Sequence, residues 1–234
     1  MIKAKDFNIF QIQASIFTPA LQFSQTKILS GLISKFSTVF DGTPISLPLP
    51  QDAPSEIPRL SLRDSGENIK LEIALNRANF FIYQKQETVI DEDKFFNLCL
   101  PVFEEYIKLS YAKVGRLAIV VVNILKQDTP GLTLVQHFCK DRWLKDTILP
   151  ENFEIHSHKK YEFGGFNVNN WIRCKSGILV KESAKVVMVE EDINTLAEDL
   201  QEKDFDMPKI TSFLRGSFKK QKELLEVYFP NNEE

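Results

Sequence analysis

Residues 116–125, RLAIVVVNIL, contain the longest apolar stretch of the chain, LAIVVV at 117–122. The stretch is much shorter than the ~18 apolar residues that a membrane-spanning helix requires. It also lacks the apolar-polar alternation of a strand with one face in water, which predicts a central strand covered on both faces. The remaining segments must therefore supply its neighbouring strands and the layers that bury it.

Several other segments alternate apolar and polar residues, as expected for strands with one buried face. The predicted strands are residues 10–17, 59–64, 69–75, 152–163, 167–174 and 177–190. Residues 76–79 break the alternation, so either a bulge re-aims the strand or a tight turn starts a new one. Gly164-Gly165 and residues 175–177 are the predicted turns of an antiparallel meander formed by the last three strands.

Helical spacing of apolar residues predicts helices near residues 25–39, 92–112, 129–143 and 210–229. Ser24 and Asp206 are candidate caps, and the acidic residues 91–93 suit the start of the second helix. Pro101 lies inside the second helix and is expected to kink or split it, because proline lacks the backbone N–H.

The order of elements predicts an α+β fold, with a mostly antiparallel sheet and helices packed on it. With 234 residues, the chain is long enough to form a single domain with a substantial core. Residues 7–112 and 114–229 follow the same strand-helix-strand-strand-helix plan without evident sequence identity. A duplication of two pseudo-repeats is therefore a hypothesis.

Residues 44–60 hold five of the eleven prolines of the chain. Because prolines cannot donate to a sheet ladder and keep the preceding residue extended, the segment is predicted to form an extended strap over the domain. The alternative is a polyproline ligand for an aromatic groove. That alternative is less suited to a segment that runs directly into a core strand and lacks a flanking basic residue.

The phrase PLPQDAPSEIPRL, the later NRANF and the strand GRLAIVVVNI resemble a sporadically distributed family of bacterial proteins of similar length. The resemblance covers residues 8–230. It implies a compact bacterial domain, and it implies no activity and no site residue, because the family has none that can be carried over.

Composition excludes several classes of function. The net charge of −3 gives no overall basic footprint, which makes a nucleic-acid partner unlikely. The chain contains neither G-x-x-x-x-G-K-[ST] nor G-x-G-x-x-G, and no cofactor is predicted. Three isolated cysteines and the lack of a long apolar N-terminal run favour the cytoplasm and no association with a membrane.

One candidate metal site is predicted, with Glu154, His156 and His158 as its ligands. Residues two apart on a strand project to the same face, so these three side chains could share a metal ion. The alternative is the exposed polar face of an edge strand. A metal-dependent hydrolase or nuclease would use these residues together with nearby acids, which are dense in residues 190–206.

The predicted partner-binding residues fall into a basic stripe on the last helix and an aromatic group in the meander. They are Arg215, Lys219, Lys222, Tyr161, Phe163, Phe166 and Trp171. The stripe could instead be a solvated face or pair with the acidic residues 190–206, and the aromatic residues could instead pack in the core.

The sequence favours a non-enzymatic binding or interaction module with a protein partner. A metal-dependent hydrolase and a chaperone-like holder of unfolded chains are the alternatives. Oligomeric state stays open, and a homodimer is among the options.

Overall fold

The computed structural model of the chain describes residues 2–19, 23–50, 52–85, 88–145, 149–180 and 182–232. Its strands form one nine-stranded sheet in the order β2-β3-β4-β5-β1-β6-β9-β8-β7. The strands are β1 (Asn8–Phe17), β2 (Ile45–Ser46), β3 (Leu60–Arg63), β4 (Ile69–Ile73), β5 (Arg77–Tyr83), β6 (Arg116–Lys126), β7 (Glu154–Phe163), β8 (Phe166–Leu179) and β9 (Ala184–Thr195). Every neighbouring pair is antiparallel, so the α+β prediction is confirmed.

The helices are α1 (Gln25–Phe36), α2 (Glu92–Ser110), α3 (Pro130–Phe138), α4 (Asp199–Glu202) and α5 (Met207–Tyr228). The side chains of Ser24, Asp91 and Asp206 accept hydrogen bonds from the third backbone N–H of α1, α2 and α5. α2 continues through Pro101 without a break, so the predicted split does not occur.

The helices bury one face of the sheet. Phe95 and Phe96 of α2 and Phe213 and Phe218 of α5 belong to one core cluster, whose strand members all project from the same face. Ala118 and other buried residues of the opposite face lie outside that cluster. The described helices thus cover one face and leave the opposite one, which we call the open face.

The two halves of the chain use the same strand order. In the first half β5, β4 and β3 follow β1 outward, and in the second half β9, β8 and β7 follow β6 outward. β1 and β6 pair antiparallel at the centre, with Ala14 opposite Ile119. Each half runs strand, helix, several strands and helix, with four strands (β2–β5) in the first half and three (β7–β9) in the second where the predicted plan has two. The duplication itself stays a prediction.

β6 lies near the centre of the sheet as predicted, but helices cover only one of its faces. Ile119 and Val121 are packed under the helices, whereas Ala118 and Val122 project from the open face. Because neighbouring side chains on a sheet shield one another, Ala118 and Val122 are buried even without a covering layer. The lack of alternation in β6 therefore reflects its central position and not a second layer of helices.

Several predicted boundaries are wrong. The strand predicted at residues 177–190 is β9, at Ala184–Thr195. β8 continues through residues 175–177 to Leu179, because these residues still pair in register with β9. The connection to β9 follows, where Ser183 adopts a left-handed conformation. α3 ends at Phe138 and not near residue 143, with a short 3-10 turn after it.

The proline segment closes one edge of the sheet. Ile45–Ser46 forms the short strand β2 next to β3, and the segment then folds back over the ends of β4 and β5. The Leu75 N–H donates to the Ser55 carbonyl, and the guanidinium of Arg77 donates to the Glu56 carbonyl. The strap is thus structural, and only a two-residue strand pairs at this edge.

We expect Phe96→Ala to destabilise the fold by about 3–5 kcal/mol, because a fully buried ring would be replaced by a cavity. Phe96 is 0% exposed and packs edge-to-face on Phe95 and Phe218, so it joins α2 to α5. Urea denaturation measures the effect. Val89→Ala is the control because Val89 is 71% exposed, and an equal loss in both variants would contradict the assignment of this core.

Candidate functional site

The open face carries a continuous row of side chains across eight strands. Residues opposite one another in register share a face of the sheet. The row runs through His158, Trp171, Asp192, Val120, Gln13, Phe81, Lys70 and Arg63. It combines aromatic, amide and charged groups on one broad surface.

Trp171 contacts two neighbouring side chains on this surface. The His158 ring stacks on it with centroids 4.0 Å apart and an interplanar angle of 7°. The Arg173 guanidinium lies 5.4 Å from the Trp171 ring and forms an ion pair with Glu190. We call His158, Trp171, Arg173 and Glu190 the Trp171 patch. Because its rings and charges support one another, the patch is held in one arrangement before any partner binds.

A chain of hydrogen bonds fixes the polar groups beside the patch. His158 Nε2 donates to Asn169 Oδ1 (3.2 Å), and Asn169 Nδ2 donates to Asn194 Oδ1 (3.3 Å). Asn194 in turn donates to Asp192 Oδ1 (2.9 Å). Burial raises the pKa of Asp192, and the hydrogen bond from Asn194 opposes that shift. The network connects β7, β8 and β9 into one polar surface.

The first half of the open face contributes a second aromatic pair and an unsatisfied amide. Phe81 and Tyr83 on β5 stack with centroids 6.0 Å apart and an interplanar angle of 6°. Asn79 is only 7% exposed, and its Oδ1 has no hydrogen-bond partner within the described part of the chain. A buried acceptor without a partner is costly, so this position favours a donor from water or from a bound molecule.

The structure brings two of the three predicted metal ligands together. His156 Nε2 donates to Glu154 Oε1 at 2.6 Å, and that hydrogen bond lowers the pKa of Glu154. His158 instead stacks on Trp171 and faces Asn169. Within the described residues, no group of three or more His, Cys, Asp or Glu side chains is arranged to hold a metal ion.

Two of the three cysteines are unsuited to nucleophilic chemistry. Cys99 of α2 and Cys174 of β8 are buried in the core, and burial raises the pKa of Cys99 well above its ordinary value. The pKa of Cys174 rises to about 12, mainly through burial. Since the thiolate is the reactive form, both side chains act as core residues at neutral pH.

The basic stripe of α5 pairs with the start of α2. Lys222 Nζ lies 2.7 Å from Glu92, and Arg215 Nη1 lies 3.4 Å from Asp93. Lys219 is exposed on the same helix. The proposed pairing with the acidic residues 190–206 was wrong, because the first turn of α2 lies closer to this stripe.

The four predicted aromatic residues do not form one surface. Phe166 packs against Phe205 and Phe213, while Tyr161 and Phe163 border the same helix-side core. Only Trp171 projects from the open face. Alternation explains the split: Tyr161 and Phe163 lie on one face of β7, whereas His158, opposite Trp171, lies on the other.

The acidic segment contains a buried residue that sequence reasoning missed. Glu191 is 1% exposed and faces α5, whereas Glu190 and Asp192 project from the open face. Both carboxyl oxygens of Glu191 lack a partner in the described structure, as does Gln221 Oε1 above it. Burial raises the pKa of Glu191 well above its ordinary value, so the neutral acid is favoured. Residues 189–193 alternate between the two faces of the strand, and this alternation was the sequence signal that places Glu191 on the buried face.

Comparison with models of protein families gave no match, and a search of curated proteins found none either. The resemblance to a sporadic bacterial family therefore stays a prediction. No helix in the described ranges has the length and apolar character needed to cross a membrane.

We expect Glu191→Gln to remove a pH-dependent loss of stability. At pH values above the ordinary glutamate pKa of about 4.3, Glu191 stays protonated in the native state but loses its proton in the unfolded state. The stabilising contribution of the proton is thus present at low pH and is lost as pH rises toward the native pKa. The free energy of unfolding of the variant, minus that of the wild type, should grow by up to about 1.4 kcal/mol per pH unit above pH 5.

Denaturant unfolding at pH 5, 6 and 7 measures this difference. Glu190→Gln is the matched control, because Glu190 is partly exposed and paired with Arg173 on the open face. Parallel pH profiles for wild type and Glu191→Gln would show that Glu191 is ionised in the native state.

Proposed function

We propose that the chain is a non-enzymatic interaction module that binds a folded protein through its open face. The observation that carries the proposal is the Trp171 patch, a preorganised stack of an aromatic ring, an imidazole and a guanidinium on an uncovered sheet. Tryptophan, tyrosine and arginine dominate the binding energy of protein interfaces. Prior ordering of these side chains reduces the entropy lost on binding.

The charge of the open face favours a protein over a nucleic acid. Acidic side chains are spread among its basic ones, including Glu72 beside Lys70 and Glu190 beside Arg173. Asp192 lies in the middle of the row of open-face side chains. Phosphate groups would meet these carboxylates, whereas a protein surface can present both signs of charge.

The two alternative functions have less support. A hydrolase needs convergent ligands, and His158 bonds to Asn169 whereas His156 bonds to Glu154. A chaperone-like holder needs an exposed aromatic groove. Among the described residues, the strongly exposed aromatic side chains are Tyr111 and Trp143, and they lie on separate segments.

Site-specific photocrosslinking tests the proposal. A photoreactive phenylalanine derivative at Gln13, in the centre of the open face, should give one discrete protein adduct in cells that express the chain naturally. The same group at Lys219, on the opposite side of the molecule, is the matched control and should give none. Trp171→Ala combined with Arg173→Ala should reduce the Gln13 adduct at least tenfold, since two anchor side chains are lost.

The readouts separate the possible partners. Thermal unfolding within a few degrees of wild type shows that the double variant is folded. If nuclease treatment lowers the mass of the adduct, the partner is a nucleic acid and the proposal of a protein partner is wrong. An adduct at Lys219 without one at Gln13 would show that the interface lies on α5 and not on the open face.

A further inference from the structure

The two edges of the sheet are built in opposite ways. Two-residue β2 forms one edge, and Pro44, Pro48 and Pro50 flank it. The other edge is β7, whose ten residues contain no proline and pair with β8 in an unbroken register from Glu154 to Phe163. Proteins protect exposed edges by shortness, prolines, bulges or charged side chains. β7 is long and has no proline or bulge, and its charged side chains are of both signs, including Glu154 and Lys160, so a partner strand with complementary charges can pair with it.

The register of β7 with β8 shows which backbone N–H and C=O groups of β7 point away from β8. The two-residue turn Gly164-Gly165, in which both φ angles are positive, makes Phe163 and Phe166 a hydrogen-bonded pair. At the other end, the Ser176 N–H donates to the Phe153 carbonyl. The odd-numbered residues therefore bond to β8. The even-numbered residues, from Glu154 to Glu162, direct their N–H and C=O groups outward.

We propose that β7 pairs antiparallel with β7 of a second copy of the chain, around a two-fold axis at Ser157. This register joins outward-directed residues as hydrogen-bonded pairs, with His156 opposite His158 of the second copy. It places Glu154 opposite Lys160 of the second copy, and this ion pair occurs twice. A shift of two residues that centres the axis on His158 would place Glu154 opposite Glu162, so the charges favour an axis at Ser157 over one at His158.

The surroundings of β7 fit this arrangement. A groove of about 470 Å³ runs along the helix side of the strand, lined by Ile155, Ile172, Val227 and Tyr228 among others. Ile155 is 39% exposed and Val227 is 67% exposed. The second β7 would lie along the open side of this groove, and the alkyl stem of its Lys159 would cover Ile155. Pairing thus buries apolar surface as well as satisfying backbone groups.

Oxidative crosslinking tests the register. Residues at a non-hydrogen-bonded antiparallel position have Cα atoms about 4.5 Å apart, which suits a disulfide. Ser157→Cys should therefore form a covalent dimer under mild oxidation. Lys159→Cys is the control, since its symmetry mate would lie roughly 13 Å away along the strand. The wild type controls for the native cysteines.

A charge exchange tests the same pairing without new cysteines. Glu154→Lys and Lys160→Glu should each raise the dissociation constant of the dimer about tenfold in analytical ultracentrifugation, because each creates two like-charged pairs. The double variant should restore wild-type association. A monomer at all concentrations, or a dimer that neither crosslinks at residue 157 nor responds to the exchange, would overturn the proposal. These results do not depend on the crosslink at Gln13, so either interface can fail alone.

Discussion

The antiparallel pairing of β1 with β6 holds the molecule together. It joins the innermost strand of one half to that of the other, so that a five-stranded unit (β1–β5) and a four-stranded unit (β6–β9) become one sheet. Ile12, Ala14 and Ile119 project from this pair into the core, where α2 and α5 meet through Phe96 and Phe218. Since both halves place their helices on the same side, one face of the sheet is buried and the other is left open.

This one-sided arrangement creates the open face. It also explains why the residues of the two faces differ in polarity. Side chains of the sheet under the helices are mostly apolar, and Glu191, Asn123 and Asn170 are buried polar exceptions. Amides, charges and the Trp171 patch occupy the other side, where they bond to one another along β7, β8 and β9. Such an arrangement of polar and aromatic groups supports the proposed role of the open face as a recognition surface.

Much of the fold could be predicted from local patterns. Alternation identified β1, β3 and β4. The candidate caps Ser24 and Asp206 and the acidic residues 91–93 identified the helix starts, because period and capping are properties of neighbouring residues. The end of β8 was missed, since residues 175–177 have turn-forming character but are held by pairing with β9. The candidate site was predicted only in part: Trp171 lies on the open face, whereas Tyr161, Phe163 and Phe166 pack toward the helices.

The sequence by itself determined the α+β class, the central position of β6, the helix caps and the structural use of the proline segment. Each depends on residues close together in the chain. Tertiary structure alone decided that helices cover one face and that the stripe of Arg215 and Lys222 meets Asp93 and Glu92. These outcomes depend on strand order and on the side to which each helix returns, and no local period encodes either.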